Sequence, residues 1–117
     1  MIKFTKCDDI TNTSLKGYIS LTYKELVSIF GRPNGIYDPG DKVDWEWTFK
    51  LNFTPICIYN YKDGPNYTHK KVTAKSIEMW HIGALFLEDL KILEDYINQR
   101  TNNKFSDREF IKEWRVK

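Results

Sequence analysis

The stretch VDWEWTFKLNFTPICIYNY, Val43 to Tyr61, decides the fold, because it is the densest aromatic and β-branched block in the chain. In its first half Val43, Trp45, Trp47, Phe49 and Leu51 alternate with Asp44, Glu46, Thr48 and Lys50. A period of two is the pattern of a strand whose faces meet different surroundings. Asn52-Phe53-Thr54 reads as a turn, and Pro55, which cannot donate to a ladder, belongs at the start of the next strand. There Ile56 and Ile58 share one face, while Cys57, Tyr59 and Tyr61 share the other. The expectation is a central β-hairpin. Val43, Trp45, Trp47 and Phe49 form the floor of a core, and Asp44, Glu46, Thr48 and Lys50 lie on a wet outer face.

Upstream, Thr22 is an N-cap with Glu25 three residues on, and Leu21 and Leu26 can close a hydrophobic staple. Leu26, Val27, Ile29 and Phe30 supply a buried stripe before Gly31 and Pro33, so a helix is expected over 22–30. The connection Arg32 to Lys42, RPNGIYDPGDK, reads as a loop with at least two turns. Earlier still, residues 2–7 read as a short edge strand and Asp8 to Lys16 as a loop.

Downstream, Lys62-Asp63-Gly64-Pro65-Asn66 is a turn-rich loop, and a third strand is expected at Ile77 to Ile82, closed by Gly83. Phe86, Leu90, Leu93 and Ile97 then fall on one helical face, with Glu88 and Asp89 at its start and Arg100 at its end. Ser106 and Glu109, bracketed by Phe105 and Phe110, repeat the helix-start signal, so a last short helix docked by Phe110, Ile111 and Trp114 is expected. The order makes this an α+β chain: a small, mostly antiparallel sheet with two or three helices packed on one face.

The 117 residues suffice for one domain, 1–117, with a core of its own. Apolar residues at 41% and charged residues at 29% fit a globular chain rather than a disordered one. No apolar run approaches the roughly 20 residues that span a bilayer, and MIKFTKCDDI lacks the apolar centre of a secretory signal, so an intracellular, membrane-free protein is expected. With 18 basic and 16 acidic residues the net charge is +2, which gives no electrostatic case for nucleic acid. Cys7 and Cys57 have no zinc-type spacing, so neither a metal nor a cofactor is expected.

Four blocks carry a resemblance. They are Tyr18-Ile19 with Thr22-Tyr23-Lys24-Glu25-Leu26 and Phe30-Gly31-Arg32-Pro33; Lys42-Val43-Asp44-Trp45-Glu46-Trp47; Ile58-Tyr59-Asn60-Tyr61-Lys62-Asp63-Gly64; and Trp80-His81-Ile82-Gly83. In this order, over roughly residues 18 to 97, the chain resembles a family of small uncharacterised proteins encoded by tailed phages and large DNA viruses. The resemblance implies a viral accessory role in the cytoplasm of the host cell, and no activity comes with it. Two departures stand out: Ala84 where the family tends to have a second glycine after His-Ile-Gly, and Asn52-Phe53-Thr54 where it tends to have an acidic-Gly turn.

Among single residues, His81 is the leading candidate, because imidazole titrates near neutrality and can act as acid, base or ligand. Asp44 and Glu46 share a strand face, about 7 Å apart. If the third strand lies beside theirs, His81 with Asp44 or Glu46 makes a small enzyme or a nucleotide-binding protein. The commoner explanations are a histidine bonded at the sheet rim and a solvated carboxylate face. A second group, Tyr59, Tyr61, Lys62, Asp63, Tyr67, Trp80 and His81, reads as a binding surface, because aromatic faces beside lysines can stack on flat ligands. The loops Arg32–Lys42 and Lys62–Lys71, with Lys70 and Lys71, would flank it. The favoured expectation is a binding module for a host protein or a small ligand.

Overall fold

The computed structural model describes residues 1–37, 41–68 and 72–115, and the fold is α+β. In chain order the strands are β1 (Phe4–Lys6), β2 (Ser14–Ile19), β3 (Gly35–Ile36), β4 (Trp45–Leu51), β5 (Thr54–Tyr59), β6 (Trp80–Ala84) and β7 (Ile111–Glu113). Helices are α1 (Tyr23–Phe30), the single turn α2 (Pro65–Thr68) and α3 (Asp89–Arg100), with a 3₁₀ turn at Ala74–Ser76. Every strand pairing is antiparallel, in the order β1-β4-β5-β6-β2-β7, and β3 shares the outer edge of β4 with β1.

The hairpin stands at the heart of this sheet, and its register, which the sequence leaves open, sets Trp47 opposite Ile58 and Phe49 opposite Ile56. Its turn is Asn52-Phe53: Asn52 takes a left-handed backbone (φ 55°) and exchanges two hydrogen bonds with Lys3, tying the hairpin tip to the N-terminus. Trp47, Phe49, Ile56, Ile58, Trp80 and Ile82 all lie on one face, each at most 1% exposed. Two helices cover them. From α1 come Leu26, Ile29 and Phe30, and Phe30 stacks on Phe49 at 4.7 Å; from α3 come Leu90, Leu93 and Ile97. The capping box of α1 is complete: Glu25 N donates to Thr22 Oγ1 and Thr22 N donates to Glu25 Oε1, and Gly31 follows at φ 83°.

Several expectations give way. Ser14–Ile19, half of it assigned to the loop Asp8–Lys16, is a strand between β6 and β7. A register shift between Leu15 and Gly17 breaks its alternation, which hides it from a period-two reading. The third strand runs Trp80–Ala84 rather than Ile77–Ile82, and Gly83 lies inside it. A Cβ at Gly83 would sit 2.5 Å from Cys57 Sγ, so glycine here serves close packing and not termination. Phe86 is 60% exposed and precedes α3, whose first turn is closed by Phe86 N donating to Asp89 Oδ2.

The helix expected from Ser106 is absent. Residues 101–108 form successive turns with Asn102 and Asn103 left-handed, and β7 follows. The capping signal loses because so short a helix has little stability of its own, whereas β7 satisfies its backbone against β2. Phe105 and Phe110 still meet, edge to face at 6.1 Å, and both are buried, but Trp114 is left exposed.

Candidate functional site

The face of the sheet opposite the helices is the one expected to be wet. Over most of Asp44–Lys50 it is not: Asp44, Glu46 and Thr48 are 6%, 7% and 7% exposed, and only Lys50 of the four residues expected there is partly exposed. Side chains from the flanking segments enclose them. Asn34 puts its amide where a neighbouring strand's peptide group would be, accepting from Thr48 N at 2.9 Å and donating to Thr48 O at 3.1 Å. It thereby bridges the gap on the edge of β4 between β1 and β3. The Tyr37 hydroxyl donates to Glu46 Oε1, and Thr13 Oγ1 lies 3.9 Å from Cys57 Sγ.

Across this face the register aligns one row, with partners Lys112, Tyr18, His81, Tyr59, Glu46 and Gly35 on successive strands from β7 to β3. His81 is its centre. Tyr59 lies nearly parallel to the imidazole at 5.4 Å, Tyr18 stands edge-on at 5.1 Å, and Tyr61 tilts against it at 5.6 Å. Nδ1 of His81 is buried without a hydrogen-bond partner. Burial lowers the His81 pKa, and the nearby Asp63 charge opposes that only in part, so the ring is neutral at neutral pH. Burial also pushes the Tyr59 hydroxyl and the Cys57 thiol up to about 12 each, and it raises Glu46 against the lowering effect of the Tyr37 bond. The middle of the row, His81 with Tyr59, is therefore an aromatic wall without charge at neutral pH.

At one end of the wall the chain turns through Asn60 to Asn66. Asn60 is fully buried; its Oδ1 accepts from Asp44 N and Trp45 N, and its Nδ2 donates to Asp44 Oδ1 and Asp63 Oδ1. Asp44 Oδ2 accepts from Asn66 N at 2.8 Å, and a Cβ on Gly64 would overlap Asp44 Oδ1. This knot presents Lys62. Among the described residues the other left-handed non-glycine positions are all asparagine; Lys62, at φ 63°, is the exception. Its ammonium rests 5.4 Å from the Tyr61 ring centre and 5.6 Å from that of Tyr67, and both rings are exposed. Such a cation over two aromatic faces gains a modest attraction that holds the three side chains together.

The structure thus assembles Tyr59, Tyr61, Lys62, Asp63, Tyr67 and His81, six of the residues singled out from sequence, into one continuous surface. Trp80 does not belong to it: it is fully buried on the helix side, edge-on to Trp47 at 5.2 Å. The grouping of His81 with Asp44 or Glu46 is not assembled either. Asp44 is engaged by the loop, and Glu46 stands two strand spacings from His81, about 9.5 Å, with Tyr59 between them. No hydrogen bond among the described residues orients the imidazole as proton transfer requires. No group of three or more His, Cys, Asp or Glu able to hold a metal occurs among them, and both cysteines are free thiols.

Sequence reading missed Tyr18, Asn34 and Asn60. Tyr18 sits on a strand whose alternation is broken, and nothing in the chain marks an asparagine as a backbone surrogate before its neighbours are known. His69, Lys70 and Lys71, and residues 38–40 of the loop Arg32–Lys42, lie outside the described residues. Among the described residues no helix is long and apolar enough to cross a membrane. No protein-family model, curated protein or solved structure matches this chain.

Proposed function

We propose that this chain is a non-enzymatic binding module whose contact surface is the aromatic wall of Tyr18, His81, Tyr59 and Tyr61, continued by Lys62 and Tyr67. One observation carries the reading. Among the described residues, the aromatic row on the helix-free face is laid out around an uncharged imidazole, and the carboxylates that chemistry would need are tied elsewhere. Exposed tyrosines beside a lysine suit a flat or macromolecular partner, since tyrosine contributes large contact area at low entropic cost. The resemblance to small proteins of tailed phages and large DNA viruses supports a viral accessory role in the host cytoplasm. The partner is then a host protein or a small host ligand, as in the blocking of a host defence system.

Paired capture from infected-type host extract tests this, using the wild-type chain and the Tyr61→Ala/Tyr67→Ala double variant. A component retained by the first and lost by the second supports the reading. Equal retention by both, at matched folding, overturns the assigned surface. A nucleotide panel in a thermal-shift assay runs beside it, because a ligand at about 100 times its Kd adds roughly 2.7 kcal/mol. A shift that persists in the double variant counts against this wall.

A further inference from the structure

A different surface lies at the far edge of the sheet. β7 pairs with β2 through Phe110 O, which accepts from Ser20 N, and Trp114 N, which donates to Lys16 O, both at 2.8 Å. In an antiparallel ladder each residue's N–H and C=O point to the same side, and the side alternates along the strand. Phe110, Lys112 and Trp114 therefore bond inward, and Ile111 and Glu113 turn their N–H and C=O outward. No described strand meets them there.

Behind that free edge, two adjoining cavities of about 530 and 370 Å³ run along the seam between α3 and β7 and share Glu94, Glu109 and Ile111. The first has an apolar floor of Leu87, Leu90 and Ile111. The second is lined by Asn98, whose buried Oδ1 has no hydrogen-bond partner, an arrangement that costs stability unless a donor arrives. Charge around the seam is uneven. Lys91 is paired with Glu94 and Asp95, Arg108 with Glu25, and Arg115 with Glu113. Glu88, Asp107 and Glu109 have no side-chain partner among the described residues, and Lys112 is the lone lining cation in the same position.

We propose that the free edge of β7 and the α3–β7 groove form a strand-addition site for an extended peptide segment of a partner protein, apolar at alternate positions and flanked by lysine or arginine. An added strand bonds the outward groups of Ile111 and Glu113, and every second side chain points toward α3 into the groove. Apolar side chains meet Leu87, Leu90 and Ile111. Basic flanks meet Glu88, Asp107 and Glu109, and an N–H from the partner can satisfy Asn98. A second copy of this chain does not fit the edge. Two-fold pairing centred on Lys112 sets Lys112 against itself, centring on Glu113 sets Glu113 against itself, and centring on Ile111 sets Glu109 against Glu113.

The probe is the synthetic peptide Lys-Thr-Val-Thr-Val-Thr-Lys, titrated into the isotopically labelled full chain. Binding shifts the amide resonances of Ile111 and Glu113 and slows their hydrogen exchange. Glu113→Pro removes one outward N–H and leaves the bonds to β2 intact, so it weakens binding by about tenfold or more, ~1.4 kcal/mol. Replacing both terminal lysines of the peptide with aspartate weakens it further at low salt. Should Glu113→Pro fail to fold, the peptide N-methylated at its ladder positions tests the same bonds on the wild-type chain, and it loses binding. Four results overturn the proposal: no resonance shift at about 1 mM peptide, equal binding by the N-methylated peptide, shifts confined to Tyr61, Lys62 and Tyr67, or concentration-dependent self-association through β7.

Discussion

On the helix side of the hairpin, Trp47, Phe49, Ile56 and Ile58 are sealed by apolar side chains from α1 and α3. On the other side, Glu46, Thr48 and Cys57 are nearly as enclosed, yet no long helix among the described residues covers them and their partners are Asn34, Tyr37 and Thr13. The same alternation produced both faces. Its polar half marks where helices do not pack, which differs from marking where water is. The apolar face is stabilised by area, at about 25 cal/mol per Å² buried. The polar face depends on each donor finding an acceptor, and a broken bond there exposes the full desolvation cost.

Substitutions can push the two faces apart. The largest effect belongs to the apolar side: Trp80→Ala leaves a cavity between Trp47 and Tyr23 and lowers unfolding free energy by about 3–5 kcal/mol in urea titration. Next comes the polar side, where Asn60→Ala strands two backbone donors and Asp44; a loss of about 2–3 kcal/mol is expected, with the Asn60–Asn66 segment gaining proteolytic sensitivity. If Asn60→Ala costs under about 0.5 kcal/mol, a surface-like value, the polar face is wet after all.

The pH dependence is smaller and discriminates between groups on one face. His81 has a folded pKa below its ordinary 6.5, so the unfolded chain binds more protons once pH falls through that value. Its contribution is fully present above about pH 6.5 and is lost on acidification toward the folded value. His81→Phe removes that decline, which urea titrations at pH 7 and pH 5 measure. Glu46 has the opposite sign, with a folded pKa raised above 4.5. The folded state then holds the proton more tightly, and stability falls as pH rises from about 4.5 through the raised value. Glu46→Gln keeps an acceptor for Tyr37 and is more stable than wild type at pH 7, with the difference shrinking toward pH 4. Smallest of all, Tyr61→Ala changes stability by no more than about 0.5 kcal/mol, because its ring is exposed.

Much of this was legible beforehand where interactions are local. The capping box at Thr22 and Glu25, the stripe Leu26, Ile29 and Phe30, and the core face shared by Trp47 and Phe49 all follow from residues close in sequence or from strict alternation. The candidate surface was legible in part. Tyr59, Tyr61, Lys62 and Asp63 are contiguous or nearly so, and His81 stood out by type. Tyr18 was hidden by the bulge in β2, and Trp80 was misplaced because one strand's faces cannot be assigned until its neighbours are known. The C-terminal segment shows the limit of a capping signal, which states what a helix would look like if one formed and carries no information about a competing sheet edge.

The sequence alone determined the α+β class, the existence of the hairpin, and the first helix with both ends, because each rests on periodicity or on contacts within a few residues. Tertiary structure decided which way Trp80 and His81 point, that Asp44 clamps a loop instead of facing a histidine, and that β2 lies between β6 and β7. Those outcomes depend on pairings between segments tens of residues apart, such as Tyr18 with His81 and Asn34 with Thr48. Long-range pairing is selected by the whole set of backbone and side-chain bonds closing at once, and no single stretch of the chain contains that information.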